Sequence, residues 1–291
     1  MVGKILIIAE IGECWNGDIV QAKKLIEISA DAGCDYVKFQ TLDFETVHND
    51  DPERDWFIKI ALTDELIDYF ITYARKNKIK PLFTPANLKK AKLLKESFGL
   101  HEVKIASSVA QDNVTVKYCA KNFKRVFLST GMSSLKKLKQ VIRYFDDRNT
   151  DLYLLHTISE YPTGVLLEER GLVPLSEENV HLNMMLILKE TFPCYKIGYS
   201  DHTVGLLATL CAAAAGAAVI EKHITLDRSK PIKLYNSRRG YLGTDHVLSL
   251  EPDELREMVK QIRQVEKIFG KWKWERTSGE KIIKNFLVGR F

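Results

Sequence analysis

The chain has 291 residues, of which 45% are hydrophobic and 28% charged, as is typical of a soluble globular protein. This length allows one large α/β barrel or two ordinary domains. The formal charge of +5 is mild, and lysines and arginines are scattered among acids, so we expect no nucleic-acid partner. No apolar run approaches the ~20 residues of a membrane span, so we expect no membrane partner either.

The cysteines and the first residues bear on the cellular compartment. There are five cysteines, an odd number, and none form a CxxC pair, so we expect free thiols in a reducing cytosol. Met1–Lys4 leads directly into an apolar run, which leaves no room for a signal peptide. We therefore expect a cytoplasmic protein.

Eight strand-like runs are separated by helical patterns. The first, Ile5–Glu10, is continuously apolar and ends in an acid, as expected for a strand buried on both faces. Asp18 caps the following helix and Gly33 ends it. The other runs are Tyr36–Gln40, Lys80–Thr84, Glu102–Ala106, Arg125–Ser129, Asp151–His156, Lys196–Tyr199 and Ala217–Ile220. Eight β/α units in a chain of this length predict an α/β fold of the (β/α)8 TIM-barrel type.

The end of the chain sets the predicted domain boundary. Pro252–Phe269 has one apolar face and is the predicted last helix of the barrel. We therefore predict one TIM-barrel domain over residues 1–270. The remaining residues, 271–291, carry Trp272 and Trp274 among mixed charges and are predicted to be a tail or linker without a core of its own.

Two histidines stand at the carboxyl ends of neighbouring predicted strands. His202 lies in the sequence YSDHT (199–203), and His223 lies in EKHIT (221–225). Side chains at these positions point into the mouth of a barrel, where the carboxyl ends of the strands meet. Two neutral imidazoles there would form part of a coordination shell for Mn²⁺, Fe²⁺ or Zn²⁺. The alternative is a pair of unrelated surface histidines.

The other strands also end in polar side chains. Lys38 and Lys104 close otherwise apolar runs, and an unpaired buried ammonium group is costly. Fixed cations with short hydroxyl donors around them suit a phosphate together with a carboxylate. The alternative is that strand ends are polar only because the loops that follow them are exposed to solvent. The strand-end residues are Glu10, Lys38, Gln40, Thr84, Lys104, Ser107, Ser129, His156, Ser200, His202 and His223.

A series of short motifs runs in order through these strand ends. They are Ile8–Gly12, Val37–Gln40, Phe83–Pro85, Lys104–Ser107, Leu128–Met132, Tyr161–Thr163, Ser200–Thr203, Val219–His223 and Gly243–Pro252. Together they resemble the sialic acid synthase family, which are the phosphoenolpyruvate-condensing nonulosonate synthases. The resemblance covers Ile5 to about Phe269.

The resemblance implies a condensation of phosphoenolpyruvate with an open-chain N-acylhexosamine such as N-acetylmannosamine, giving a nine-carbon 2-keto acid and phosphate. It implies that His202 and His223 hold Mn²⁺ or Mg²⁺, which polarises the sugar aldehyde. Glu10 would orient or deprotonate the water that adds at C2, and a homodimer is expected. The residues implied for phosphoenolpyruvate are Lys38, Thr84, Lys104, Ser107, Ser129 and Ser200, and those implied for the sugar are Gln40, Tyr161 and Asp245.

The chain also departs from the family pattern. Cys14-Trp15 replaces the usual Asn-His before Asn16-Gly17, Val109 stands where a glutamate is common, and Ser159 where an asparagine is common. Residues 232–242 are an insertion, and the chain stops where the family continues into an antifreeze-like domain that reaches the partner's sugar site.

We hypothesise that the insertion closes over the site in place of that domain. Its cations, Lys233, Arg238 and Arg239, would suit a phosphorylated or acidic acceptor, whereas the alternative is a solvated surface loop. Two other functions stay open. One is a phosphoenolpyruvate-dependent synthase of a different 3-deoxy-2-keto sugar acid, and the other is a non-catalytic sugar-binding barrel.

Overall fold

A computed structural model describes residues 3–43, 45, 47, 49, 54–146, 149–162, 174–230, 244–270 and 273–290. The insertion 232–242, and with it the lid hypothesis, lies outside these residues. The eight strands are β1 (Leu6–Glu10), β2 (Tyr36–Thr41), β3 (Lys80–Pro85), β4 (Glu102–Ile105), β5 (Arg125–Ser129), β6 (Asp151–His156), β7 (Lys196–Asp201) and β8 (Val219–His223).

Helices alternate with the strands. They are α1 (Ile19–Asp31), α2 (Arg54–Ile60), α3 (Asp64–Lys76), α4 (Leu88–Lys92), α5 (Asn113–Asn122), α6 (Leu135–Ile142), α7 (Asn183–Thr191), α8 (Leu207–Ala214), α9 (Thr244–Leu248), α10 (Pro252–Phe269) and α11 (Ser278–Leu287). Helix α2 was not predicted, because seven residues are too few to show a helical period. Within the described ranges, no helix is both long and apolar enough to cross a bilayer.

All the strand pairs are parallel, and the sheet order is β3-β2-β1-β8-β7-β6-β5-β4. Strands β3 and β4 lie in contact, but no backbone ladder joins them among the residues described. Pro81 and Pro85 of β3 have no N–H groups that could support one. The sheet is therefore a nearly closed barrel with one seam, and the predicted (β/α)8 TIM barrel is confirmed.

The inward faces of the strands form layers, because alternate residues of a strand share a face. One layer is an apolar plug of Ile8, Tyr36, Leu82, Phe127, Tyr153, Leu155 and Val219, all buried. Two residues further along the same strands stand Glu10, Lys38, Thr84, Ser129 and Glu221. The apolar pattern of the plug therefore fixes which polar side chains point into the mouth of the barrel.

The plug also needs a glycine at one position. A Cβ at Gly198 of β7 would lie 2.3 Å from Cγ1 and 2.6 Å from the carbonyl oxygen of Val219 on β8. Any side chain at this position would force the two strands apart. Ser200, two residues along from Gly198, is thereby held close to β8.

Helix α10 closes the barrel domain. Glu251 and Glu254 form a capping box at its start, and its predicted bounds, Pro252–Phe269, are confirmed. It packs against α8 through a stripe of buried apolar residues, namely Leu255, Met258, Val259 and Ile262. Helix α11 has no buried residue, and the domain boundary at residue 270 stays a prediction.

Candidate active site

One carboxylate stands at the centre of the mouth. Glu221 lies between two ammonium groups, with Oε2 3.4 Å from Lys38 Nζ and Oε1 3.4 Å from Lys104 Nζ. Ser200 Oγ donates to Glu221 Oε1 at 2.8 Å. Burial alone would raise the pKa of Glu221, but Lys104 and Lys38 lower it to about 2. Glu221 therefore stays ionised and links β8 to β2, β4 and β7 across the barrel.

Lys38 joins this carboxylate to a second one. Its Nζ lies 3.1 Å from Glu10 Oε2 and donates to Thr84 Oγ1 at 3.1 Å. Burial would lower the pKa of Lys38, but Glu10 and Glu221 together raise it, so Lys38 stays an ammonium group. Burial raises the pKa of Glu10 more than Lys38 and Gln40 lower it. Gln40 Nε2 donates to Glu10 Oε1 at 2.9 Å, which orients this unusually basic carboxylate.

Lys104 is the less strongly paired of the two lysines. It donates to Ser129 Oγ at 2.7 Å and is almost completely buried. Burial outweighs the attraction of Glu221 and lowers the pKa of Lys104 to about 8. Its charge therefore responds to pH near neutrality, unlike that of Lys38. We call the set Glu10, Lys38, Thr84, Lys104, Ser129, Ser200 and Glu221 the polar layer.

The two predicted histidines lie side by side next to this layer. Their ring centroids are 5.6 Å apart, and the Tyr161 ring stacks on His202 at 4.5 Å. His202 Nδ1 is 3.0 Å from the carbonyl oxygen of Ile158. Because a carbonyl only accepts, Nδ1 carries the hydrogen and Nε2 keeps its lone pair. Burial lowers the pKa of His202 to about 4 and that of His223 well below its usual range, so both rings are neutral.

Three polar side chains, His223, Asp245 and Glu10, converge around Gly12. The Nδ1 atom of His223 is buried, makes no hydrogen bond within the described residues, and lies 3.4 Å from Asp245 Oδ2. A Cβ at Gly12, where φ is +51°, would lie 2.5 Å from Asp245 Oδ2 and 3.4 Å from Glu10 Oε1. Gly12 therefore leaves the space in which a ligand could meet these groups.

The histidines could take part in binding a metal but do not form a complete site. No cluster of three or more His, Cys, Asp or Glu side chains is arranged to hold a metal in the part of the chain that the structure describes. The neutral His202 ring with its free lone pair and the unbonded Nδ1 of His223 nevertheless fit a partial coordination shell. Water or substrate oxygens would have to supply the remaining ligands.

The outward face of the same two strands carries a second ion pair. Asp201 and Lys222 are partners in the β7–β8 register, and their side chains meet at 2.7 Å with no exposure on either. Asp201 also accepts from Tyr199 Oη at 2.7 Å and from Thr203 N at 3.0 Å. This network fixes the backbone on which His202 and His223 stand.

Two further strand-end residues are placed differently. A Cβ at Gly131 would lie 2.6 Å from Ser107 Oγ. Because Gly131 has no side chain, it leaves room for Ser107 beside Ser159. The expectation that His156 joins the mouth was wrong. Its Nε2 donates to the carbonyl oxygen of Val180 at 2.9 Å, because Leu155 occupies the inward face and the pleat turns residue 156 outward.

Sequence reasoning missed two buried carboxylates. Glu221 could have been predicted from the sequence, because it stands two residues before His223 and therefore lies on the same face of the strand. Glu13 carried none, because its partners are remote in sequence. Glu13 accepts from the backbone N of Asp245 at 2.9 Å and from Trp56 Nε1 at 3.0 Å, and burial raises its pKa.

A cavity of about 170 Å³ opens beside the histidines, and we call it the side cavity. Its described lining residues are Gly12, Glu13, Trp15, Gln40, Leu42, Phe57, Ile60, Tyr161 and Asp245. Gln40, Tyr161 and Asp245, the residues predicted to bind a sugar, therefore share one cavity. It joins the polar layer through Gln40, which donates to Glu10.

We predict that Lys222→Met lowers the free energy of unfolding by about 3–5 kcal/mol, because it leaves Asp201 buried without its cation. Urea unfolding measures the loss. Lys196→Met is the matched control, since Lys196 also lies 2.7 Å from an aspartate, Asp151, but is 51% exposed. Its loss should stay below about 1 kcal/mol. Equal losses in the two variants would contradict a special role for the buried pair.

Known proteins resemble this chain in sequence and in fold. The N,N'-diacetyllegionaminic acid synthase of Campylobacter jejuni is 37% identical over 92% of this chain and 78% of its own length. The human N-acetylneuraminate-9-phosphate synthase is 30% identical over 91% of this chain and 71% of its own length. The crystal structure of the N-acetylneuraminic acid synthetase of Leptospira borgpetersenii, in complex with citrate, superposes with a TM-score of 0.85 at 28% identity, covering 98% of this chain and 92% of that one. Residues 25–274 match the NeuB family, and the chain belongs to that family.

Proposed function

We propose that the chain is a metal-dependent synthase that condenses phosphoenolpyruvate with an aldose of the N-acylhexosamine type, giving a 2-keto-3-deoxy nonulosonic acid and phosphate. The observation that carries the proposal is the pair of buried ammonium groups, Lys38 and Lys104, in the same mouth as two neutral imidazoles. The relatives, which are named synthases of legionaminic and neuraminic acids, support it.

The polar layer has the groups that phosphoenolpyruvate requires. Lys38 and Lys104 would pair with the phosphate and carboxylate, which replace part of the contact that both lysines now make with Glu221. Their charge then also stabilises the negative charge that shifts during the reaction. The hydroxyl groups assigned to the same ligand are those of Thr84, Ser107, Ser129 and Ser200.

The proposed reaction forms one carbon–carbon bond and releases phosphate. C3 of phosphoenolpyruvate attacks the aldehyde carbon, whose oxygen takes up a proton, and water adds at C2 before phosphate leaves. Glu10 is the residue we assign to that water, because burial raises the pKa of its carboxyl group and makes its carboxylate a stronger base. Gln40, Tyr161 and Asp245 would bind the sugar hydroxyls from the side cavity.

His202 and His223 are the proposed ligands of the metal. Nitrogen ligands favour Mn²⁺ over the harder Mg²⁺, whose preferred ligands are oxygens. When bound, the metal would act as a Lewis acid on the aldehyde oxygen. The hydrogen bond from His202 Nδ1 to Ile158 fixes the orientation of the ring, so its Nε2 is presented in one direction. A homodimer remains part of the proposal on the family resemblance alone.

The direct test is incubation of the protein with phosphoenolpyruvate, Mn²⁺ and a panel of aldoses, with mass detection of products and an assay of released phosphate. We expect a product that carries the three carbons of pyruvate, and a loss of about 100-fold or more in rate for Lys104→Met. Binding of phosphoenolpyruvate and sugar without turnover would instead support the non-catalytic barrel. Turnover of a pentose or an unsubstituted aldose alone would support a different 3-deoxy-2-keto acid.

The pH dependence should report Lys104. Burial lowers its pKa to about 8, so the ammonium form is present below that pH and is lost above it. We predict that kcat/KM for phosphoenolpyruvate falls about tenfold per pH unit above pH 8. In Lys104→Arg, whose guanidinium does not titrate in this range, any residual activity should lack that fall. A wild-type profile that rises through pH 8 would contradict the assignment.

Metal binding should depend on both imidazoles. We predict that His202→Ala and His223→Ala each weaken Mn²⁺ binding, measured calorimetrically without substrates, by about 10-fold or more. Treatment with EDTA should remove the activity of the wild type, and Mn²⁺ should restore it. The matched control is His101→Ala, since His101 is exposed beside Lys95 at the other end of the barrel. Undiminished Mn²⁺ affinity in both active-site variants would exclude these ligands.

A further inference from the structure

The residues assigned to the two substrates stand on different parts of the fold. Those assigned to phosphoenolpyruvate lie on the barrel strands or directly after them, where the strand ladders hold the backbone in place. The side cavity is lined in part by two short helices outside the barrel, by Phe57 and Ile60 of α2 and by Asp245 of α9. Isolated helices of seven and five residues are unstable in water, so contacts with the rest of the fold must set their positions.

Glu13 makes such a contact with each of these two helices. It lies in the loop after β1 and is buried. Its Oε2 accepts from Trp56 Nε1 of α2 at 3.0 Å, and its Oε1 accepts from the backbone N of Asp245 in α9 at 2.9 Å. The carbonyl oxygen of Glu13 also accepts from Asn16 N at 2.9 Å, which closes a turn of the loop. One side chain next to the barrel thus joins both helices to the end of β1.

The two ends of α9 are held by different bonds. After its last residue, Leu250 N donates to the carbonyl oxygen of His223 at 2.8 Å, and Thr225 N donates to that of Leu250 at 2.9 Å. These bonds fix the end of the helix to the segment after β8. At its start, the N–H groups of the first turn have no partner within the helix, and Glu13 accepts the N–H of Asp245. The position of the Asp245 carboxylate, 3.4 Å from His223 Nδ1, therefore depends on Glu13.

The two donors require a carboxylate at position 13. An indole N–H and a backbone N–H can only donate, so both oxygens of the Glu13 side chain must accept. A glutamine has one acceptor oxygen and an NH₂ group, and can therefore satisfy only one of the two donors. An aspartate is one methylene shorter and would not reach both. Because Trp56 is buried, a donor left without a partner there would be costly.

Resting on the proposed function, we propose that Glu13 is a positioning residue for the acceptor half of the site. It acts through Trp56 and Asp245 rather than on the reacting atoms. By fixing α2 and the start of α9 relative to β1, it sets the place in which the aldose meets phosphoenolpyruvate. The polar layer stands on the strands and keeps its geometry without these two bonds. Loss of the Glu13 carboxylate should therefore impair use of the aldose and leave binding of phosphoenolpyruvate nearly unchanged.

The test compares Glu13→Gln with the wild type, using the aldose of the panel that the wild type turns over with the highest kcat/KM. We expect kcat/KM for the aldose to fall by about 10-fold or more, because a displaced positioning group is costly in rate. KM for phosphoenolpyruvate should stay within about twofold. Trp56→Phe removes one of the two donors and should act in the same direction. The double variant should lose less than the product of the two single losses, since both changes break one network.

The matched control is Glu266→Gln. Glu266 also accepts from a backbone N–H and a side chain, those of Ile5 at 2.5 Å and Arg263 at 2.6 Å, but it does so at the amino end of β1, away from the mouth. This variant should keep the wild-type KM for both substrates. Hydrogen exchange followed by NMR gives a readout without turnover. At least one of the two N–H groups bonded to Glu13 should exchange about 10-fold or more faster in Glu13→Gln, and neither should in Glu266→Gln.

The outcomes separate this inference from the proposed function. An unchanged kcat/KM for the aldose in folded Glu13→Gln, or equal rises in KM for both substrates, would overturn the inference and leave the synthase function intact. No turnover of any aldose by the wild type would overturn both. If Glu13→Gln fails to fold, Trp56→Phe takes its place in the same comparison with Glu266→Gln.

Discussion

The site depends on one buried carboxylate held between two buried ammonium groups. Without Glu221, Lys38 would keep Glu10 as its partner, but Lys104 would retain only the hydroxyl of Ser129 among its described contacts. A buried cation in that position would be costly or would lose its proton. Glu221 therefore favours the charged form of both lysines.

The chemistry at the mouth follows from the alternation of residues along the strands. The plug residues Ile8, Tyr36 and Val219 are each followed, two positions later, by a member of the polar layer. The same rule separates the inward His223 from the outward Lys222, so that one short sequence supplies a candidate metal ligand and part of a structural ion pair. Neighbouring residues thus differ completely in function.

Much of this was visible in the sequence, for reasons that can be named. The barrel, the bounds of α10 and the inward positions of Lys38 and Lys104 follow from local periodicity, which the sequence displays directly. The strand β6 has its predicted bounds, but His156 was misplaced because it follows the inward Leu155 and therefore lies on the outward face. The role of Glu13 and the helix α2 could not be foreseen, because the hydrogen bond between Trp56 and Glu13 depends on how α2 packs against the loop after β1. At the Cys14-Trp15 departure, Cys14 Sγ lies 3.4 Å from Ser249 Oγ, and Trp15 lines the side cavity.

At the seam between β3 and β4, the polar layer also has a structural role. Thr84 lies on β3 and Lys104 on β4, and in the described residues no backbone ladder joins these two strands. They are connected instead through the lumen, from Thr84 to Lys38, to Glu221 and to Lys104. Besides the direct packing of β3 on β4, a chain of hydrogen bonds and ion pairs through the lumen therefore links the two strands at the seam.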